Sequence, residues 1–168
     1  MKTEELKALQ APLKERYRED PKAALITLRA DGEIGENISC KIDTGRALVE
    51  AGLHPATGGN GMFACSGDLL LEALVACAGV TLNAVATSIG IEISDGKVIA
   101  EGDLDFRGTL GVSKEVRVGF TAIRLKFKIK CDEDEEKIQN LLKLTERYCV
   151  VYQTLICATE VKTAIEMN

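Results

Sequence analysis

The chain has 168 residues and a net charge of −5, and it is 46% hydrophobic and 28% charged. This length fits one domain with a short extension, and the composition supports a sizeable core under a polar surface. The net charge is negative and the sequence has no cluster of Lys and Arg, so a nucleic-acid partner is not expected.

Residues 3 to about 19 predict a charged amphipathic helix, with a kink or break at Pro12. This segment lacks the apolar run of a signal peptide, so we expect a cytoplasmic protein whose six cysteines lie in a reducing compartment. We therefore predict an N-terminal helical extension over residues 1–20 and a single domain over residues 21–168.

The following segment predicts short antiparallel strands. Residues 24–29 are rich in β-branched and apolar side chains, a turn is predicted at Asp31-Gly32, and residues 36–42 form the second strand of a hairpin. A third extended piece is predicted around residues 46–49, and the glycines and proline that follow predict a loop.

Residues 66–89 predict a helix that is apolar on nearly every face, with Cys65 or Ser66 as its N-cap and Gly90 as its C-cap. A helix that is apolar all round must be covered on all sides, which a domain of this size can hardly achieve alone. The pattern favours a dimer, or a helix held between layers. Because Glu72 interrupts the apolar run, a membrane-spanning segment is not expected.

The second half of the chain alternates between strands and helices. Residues 97–106 and 116–130 show a partial alternation that predicts a sheet with one wet face. An acidic run then heads a helix ending near Tyr148, and these acids suit the helix dipole better than a metal site. A short helix over 149–157 and a strand-like alternation over 159–167 complete an α+β fold.

The loop and its only histidine offer little chemistry. His54 has no nucleophile-elbow sequence nearby and is expected to pack or hydrogen-bond locally. Because neither C-x-x-C nor H-x-x-x-H spacing occurs, no metal is expected. The glycines at 58–61 lack the Gly-Lys-Ser/Thr of a phosphate loop, so no nucleotide or other cofactor is expected.

The cysteines leave several roles open. Cys77 differs little from the others by composition, because plain packing explains its small neighbours. Cys149 stands out more, since it follows one predicted helix and begins another, where amide N–H groups lower a thiol pKa. For the other four the default role is a small buried hydrophobe: Cys40, Cys65, Cys131 and Cys157.

Two separated segments resemble the OsmC/Ohr family. Residues 66–77 (SGDLLLEALVAC) resemble the family helix that runs through Ala and Leu to a reactive cysteine, and residues 146–151 (ERYCVV) resemble its second cysteine motif. The resemblance covers about residues 24–167, with two strands and a helix between the motifs. Gly67 and Val150 replace two prolines that are usual in the family.

The resemblance implies an intertwined homodimer, in which antiparallel sheets wrap around central apolar helices. It also implies a thiol peroxidase for organic hydroperoxides, in which Cys77 becomes a sulfenic acid, Cys149 closes a disulfide, and an external dithiol reduces that disulfide. Family members stabilise the thiolate with an Arg held by a Glu. Asp68 takes the place of the Glu, or serves only as a helix-cap acid, and Arg29 is the first choice for the Arg, with Arg46 as the alternative.

Two other functions stay open. The fold could serve as a small-molecule-binding or stress-related dimer without peroxidase turnover. All six cysteines could also be packing residues with a purely structural role.

Overall fold

The computed structural model describes residues 2–5, 8, 10–11, 19, 31–34, 39–43, 48–111 and 113–167. Two antiparallel sheets and several α-helices follow one another in these residues, and the α+β class is confirmed.

The first sheet is antiparallel and holds the strands in chain order: β1 (Asp31–Ile34), β2 (Ser39–Asp43) and β3 (Leu48–Gly52). β3 confirms the third extended piece, which extends further towards the C-terminus than its sequence pattern suggested. The strand expected over residues 24–29 lies outside the described residues.

The turn predicted at Asp31-Gly32 is wrong. Both residues belong to β1, where Asp31 is opposite Asp43 and Gly32 is opposite Ile42. An Asp-Gly pair favours a turn by its local conformational preference, but here cross-strand pairing with β2 determines the backbone.

The long helix α1 (Ser66–Ile89) confirms the main helix prediction. Cys65 is its N-cap, and Gly90 ends it in the left-handed conformation with φ of 78°. The N–H of Ile91 donates to the carbonyl of Ala86 at 2.9 Å, which completes a glycine-terminated C-cap.

The second sheet pairs β4 (Asp95–Leu104) with β5 (Phe120–Lys130) in antiparallel register. Its predicted wet face is confirmed on β5, where half-buried apolar residues alternate with exposed basic ones. The half-buried residues of β5 are Ile123, Leu125, Phe127 and Ile129.

Phe106, expected at the end of a strand, instead begins the short helix α2 (Phe106–Thr109), because the Asp105 side chain caps that helix.

Two further helices meet at Cys149: α3 (Glu135–Tyr148) and α4 (Val150–Ile156). The Asp134 side chain accepts a hydrogen bond from the Lys137 N–H at 2.8 Å. The acidic run therefore caps α3, as predicted.

The core forms where α1 packs against α3 and against the apolar face of β5. By length and composition alone, α1 would also suit a membrane span, but it packs against β4, α3 and α4 as the core helix of a folded domain does. One side of it stays uncovered in the single chain, where Val80 is 72% exposed. The buried core residues are Leu82, Val85, Ala86, Ile91 and Leu141.

The strand expected over residues 159–167 is wrong for the single chain. These residues have no strand pairing, and Val161 and Ile165 are 81% and 87% exposed. An extended segment becomes a strand only when another strand hydrogen-bonds to it, and no described strand lies alongside this one.

The N-terminal extension is described at a few positions only. Residues 3–5 are helical, and the Thr3 hydroxyl donates to the Thr87 carbonyl at the end of α1 at 2.9 Å. The rest of the predicted helix lies largely outside the described residues, and the division at residue 20 stays a prediction.

Candidate active site: a thiol pair between two helices

Cys77 lies near the middle of α1, on the part of the helix that packs against α4. Its thiol is free, and the residue is half-buried. The next residue, Ala78, is fully buried, which fixes the rotation of α1 about its axis at this point.

Cys149 occupies the junction between α3 and α4. Its N–H donates to the Thr145 carbonyl at 3.0 Å, and its own carbonyl accepts from the Gln153 N–H at 2.9 Å. It therefore ends one helix and begins the next, in an extended backbone conformation. Its side chain is only 1% exposed, so this second free thiol is shielded from solvent.

The two cysteines are brought within hydrogen-bonding reach of each other. Burial raises the pKa of the Cys77 thiol, but hydrogen bonds to its sulfur outweigh burial and lower the pKa below the ordinary value. The groups that lower the pKa of Cys77, from the largest effect to the smallest, are the Val151 amide, the Cys149 thiol, the Val150 amide and the Thr81 hydroxyl.

The pKa of Cys149 moves in the opposite direction. Burial raises it, and the neighbouring Cys77 sulfur raises it further, against hydrogen bonds from the Tyr152 and Val151 amides. As pH rises, Cys77 is thus the first of the pair to lose its proton, while Cys149 stays a protonated, hydrogen-bonding thiol.

The expectation that the start of α4 would lower the pKa of Cys149 is wrong. The first N–H groups of a helix lack intrahelical acceptors and are available to an external anion. In α4 the amides of Val150 and Val151 lower the pKa of Cys77, which lies on another helix, and the amides of Val151 and Tyr152 also lower that of Cys149. Cys149 itself is so deeply buried that loss of hydration dominates its pKa.

Asp68 is not at the thiol pair. It lies exposed in the first turn of α1, and the nine residues to Cys77 correspond to a rise of about 13 Å along the helix. At this position its charge suits the helix dipole. Arg29 and Arg46 both lie outside the described residues, and within those residues no cation contributes to the lowered pKa of Cys77.

The remaining cysteines differ in exposure. Cys65 and Cys131 are half-buried, and Cys40 lies in β2, as its sequence context suggested. The burial expected for Cys157 is wrong, because it is exposed at the C-cap of α4. A helix end at the surface leaves its final side chains in water even when the local sequence is apolar.

His54 packs locally, as predicted. Its Nδ1 accepts a hydrogen bond from the Ala56 N–H at 3.0 Å, and its ring stacks on Phe106 with centroids 5.1 Å apart. Neither contact involves Cys77 or Cys149.

A cavity of about 880 Å³ opens between α1, β5, α3 and α4. Its wall is mostly apolar and includes Leu74, Phe127, Leu141 and Tyr152. Neither Cys77 nor Cys149 lines it, so the large cavity and the thiol pair are separate features.

The structure adds three groups to the site that were not singled out in the sequence: the Thr81 hydroxyl and the amides of Val150 and Val151. The spacing of Thr81, four residues after Cys77 on a predicted helix, was a usable signal. The two amides could not be recognised in the sequence, because every residue except proline has a backbone N–H.

A family model described as OsmC-like protein matches residues 59–164. Asp68, Cys77 and Cys149 lie within the matched range, whereas Arg29 and Arg46 lie before it. No curated protein sequence matches this chain.

Solved structures share the fold. An OsmC-like protein from Mycoplasma pneumoniae is 19% identical, with a TM-score of 0.65 over 77% of this chain and 87% of that one. An organic hydroperoxide resistance protein from Elizabethkingia anophelis is 22% identical, with a TM-score of 0.64 over 79% and 90% of the two chains. The corresponding protein OhrB of Bacillus subtilis is 23% identical, with a TM-score of 0.53 over 79% and 93%.

Proposed function

This chain belongs to the OsmC-like family, and on that premise we propose that it is a thiol-dependent peroxidase that reduces organic hydroperoxides. The observation that carries the proposal is the contact between Cys77 and Cys149, whose pKa values shift in opposite directions. A nucleophilic thiolate beside a protonated second thiol is the arrangement that sulfenic-acid chemistry followed by disulfide formation requires. Some relatives of similar fold are described as organic hydroperoxide resistance proteins.

In the proposed first step, the Cys77 thiolate attacks an oxygen of the O–O bond. A sulfur–oxygen bond forms and the O–O bond breaks, so that Cys77 becomes a sulfenic acid. The leaving alkoxide takes up one proton and departs as an alcohol. Sulfur is oxidised by two electrons, and the hydroperoxide is reduced by two.

In the second step, the Cys149 thiol attacks the sulfenic sulfur, and a disulfide forms with release of water. An external dithiol then reduces this disulfide by exchange and becomes a disulfide itself. The cycle uses no metal or organic cofactor. We propose that it operates in the cytoplasm, where dithiol reductants are maintained, without a nucleic-acid or membrane partner.

The test is peroxide-dependent consumption of a dithiol by the purified protein. With an alkyl hydroperoxide we expect turnover in the wild type, turnover at background in Cys77→Ser, and unchanged turnover in Cys157→Ser. The control removes an exposed cysteine distant from the pair along α4. Turnover in Cys77→Ser equal to wild type would exclude the mechanism.

We further propose that the working unit is a homodimer. α1 has an uncovered stripe of exposed apolar residues at helical spacing beside Cys77, and a second copy of the chain would cover it. Small side chains there let another helix approach closely. The stripe consists of Ala73, Ala76 and Val80.

The dimer is tested by light scattering during size-exclusion chromatography. We expect wild type to elute with the mass of two chains and Val80→Glu with the mass of one. Val118→Glu is the matched control, since Val118 is similarly exposed, at 65% against 72%, but lies in the segment between α2 and β5. A monomeric wild type would contradict the dimer.

The cavity of about 880 Å³ supports a second candidate function, binding of an apolar small molecule without turnover. This function does not need the cysteines, because neither of them lines the cavity. It predicts a ligand that co-purifies with the protein in native mass spectrometry, together with no sulfenic acid at Cys77 after peroxide treatment.

A further inference from the structure

The chain leaves the helical conformation at one residue, Cys149, and resumes it at the next. In an uninterrupted α-helix the N–H of Val150 would donate to the carbonyl of Glu146, four residues earlier. At Cys149 the backbone is extended, with φ of −75° and ψ of 109°, and this bond is absent from the described hydrogen bonds. The break therefore leaves the Glu146 carbonyl without its helical donor.

The covalent structure of the chain does not enforce this break. A proline at position 150 would do so, because proline has no N–H and disfavours a helical conformation in the residue before it. The chain has valine there, whose N–H is free to return to the Glu146 carbonyl. Noncovalent contacts must therefore hold α3 and α4 in their broken arrangement.

The Gln153 side chain makes such a contact. Its Nε2 donates to the Glu146 carbonyl at 2.9 Å, seven residues earlier and across the break. A carbonyl can only accept, so this partner fixes the orientation of the carboxamide. The backbone N–H of Gln153 donates to the Cys149 carbonyl, also at 2.9 Å. Gln153 thus bonds to Cys149 and to the helical turn that precedes it.

We propose that Gln153 is a positioning residue, which holds the break between α3 and α4 and thereby keeps Cys149 against α1, beside Cys77. Its side chain occupies the acceptor that the Val150 N–H would use if the two helices merged. Gln153 acts through Cys149, so its role rests on the proposed function of the thiol pair.

The surroundings of the bond support this role. Gln153 and Glu146 are both half-buried, so water competes less for the bond than it would at the surface. α1 packs against both helices that meet at the break, and Cys149 is buried there. The Val150 amide, which the break leaves free, is one of the groups that lower the pKa of Cys77.

The experiment measures how firmly Cys149 is held beside Cys77, and it uses no peroxide. The full-length protein is equilibrated in mixtures of reduced and oxidised glutathione, and mass spectrometry quantifies the Cys77–Cys149 disulfide. In this exchange one oxidised glutathione takes up two electrons and two protons from the two thiols and leaves as two reduced glutathiones. The equilibrium constant rises with the effective concentration of one thiol at the other.

Gln153→Met removes the carboxamide and keeps the length and helix preference of the side chain. Gln139→Met is the matched control, because Gln139 is an exposed glutamine of α3. We expect the equilibrium constant of Gln153→Met to fall roughly three- to fivefold, as for one lost hydrogen bond, and that of Gln139→Met to equal wild type. If Gln153→Met does not fold by circular dichroism, Gln153→Glu replaces it, since ionised Glu has the same length and no donor.

Val150→Pro separates positioning from a general loss of stability. It enforces the break covalently, so Gln153→Met should lower the equilibrium constant less in the Val150→Pro background than in wild type. An equal decrease in both backgrounds would show that Gln153 does not act through the break and would overturn the proposal.

The remaining outcomes separate the role of Gln153 from the peroxidase proposal. An equilibrium constant of Gln153→Met equal to that of wild type, with a wild-type pair that forms the disulfide, overturns the role of Gln153 and leaves the peroxidase proposal standing. A wild-type protein that forms no disulfide between Cys77 and Cys149 overturns both. The expected glutathione results without peroxide turnover support Gln153 and overturn the peroxidase proposal alone.

Discussion

Cys77 and Cys149 are neighbours, yet their surroundings move their pKa values in opposite directions. Burial raises the pKa of both thiols. For Cys77 the hydrogen-bond donors outweigh burial, whereas for Cys149 they do not, and the adjacent sulfur adds to the increase. The N–H groups at the start of a helix can therefore lower the pKa of a thiol on another helix, whereas at the N-cap thiol itself burial outweighs them.

The largest expected effect comes from removing the second thiol. Cys149→Ser keeps a hydroxyl donor beside Cys77, so the first oxidation should proceed, but no disulfide can form between these positions. We expect a sulfenic acid to persist at Cys77, detectable as its dimedone adduct by mass spectrometry, and dithiol-dependent turnover to fall to background. A disulfide between Cys77 and another cysteine of this variant would show that Cys149 is not the required partner.

The next effect tests the amides of α4 directly. Val150→Pro removes one N–H donor to Cys77 at a position where proline fits, because Val150 is the first residue of the helix and Cys149 has φ of −75° and ψ of 109°. A hydrogen bond to a charged group contributes about 1.5 kcal/mol, so alkylation of Cys77 at neutral pH should slow about tenfold. Val150→Ala keeps the N–H and should react like wild type. Equal alkylation rates of Cys77 in both variants would show that the Val150 amide does not activate Cys77.

A smaller effect is expected in the pH dependence of the native protein. As pH rises, the alkylation rate of Cys77 should increase at lower pH than that of a free thiol, because its pKa is lowered. The rate of Cys149 should increase only at higher pH, because its pKa is raised, and burial should slow it further. In urea both cysteines should follow the profile of an unfolded thiol. A native protein in which Cys149 titrates first would reverse the proposed roles.

The smallest effect concerns stability. Because burial raises the pKa of folded Cys149, the unfolded state loses this proton first as pH rises, and the free energy of unfolding falls above the ordinary thiol pKa. Urea unfolding of wild type and Cys149→Ser across that range should show a steeper decline for wild type. Parallel curves would mean that the environment of Cys149 does not disfavour its thiolate.

Local pattern was sufficient for much of the fold. The apolar run of α1, its terminal glycine and the acidic cap of α3 are signals that act within one element, so their helices were predicted with nearly correct ends. The turn at Asp31-Gly32 and the strand over 159–167 were wrong, because strands depend on partners elsewhere in the chain or in another chain.

The sequence by itself determined the α+β class, the helix that carries Cys77, the junction that carries Cys149, and the family motifs around both. Only the tertiary structure decided which of the two thiols is activated. The packing of α1 against α4 brings the amides of Val150 and Val151 to Cys77, although these residues are far apart in the sequence. It also shields Cys149 from solvent. A thiol pKa depends on the donors and solvent within a few ångströms of the sulfur, and those neighbours exist only after the helices have packed.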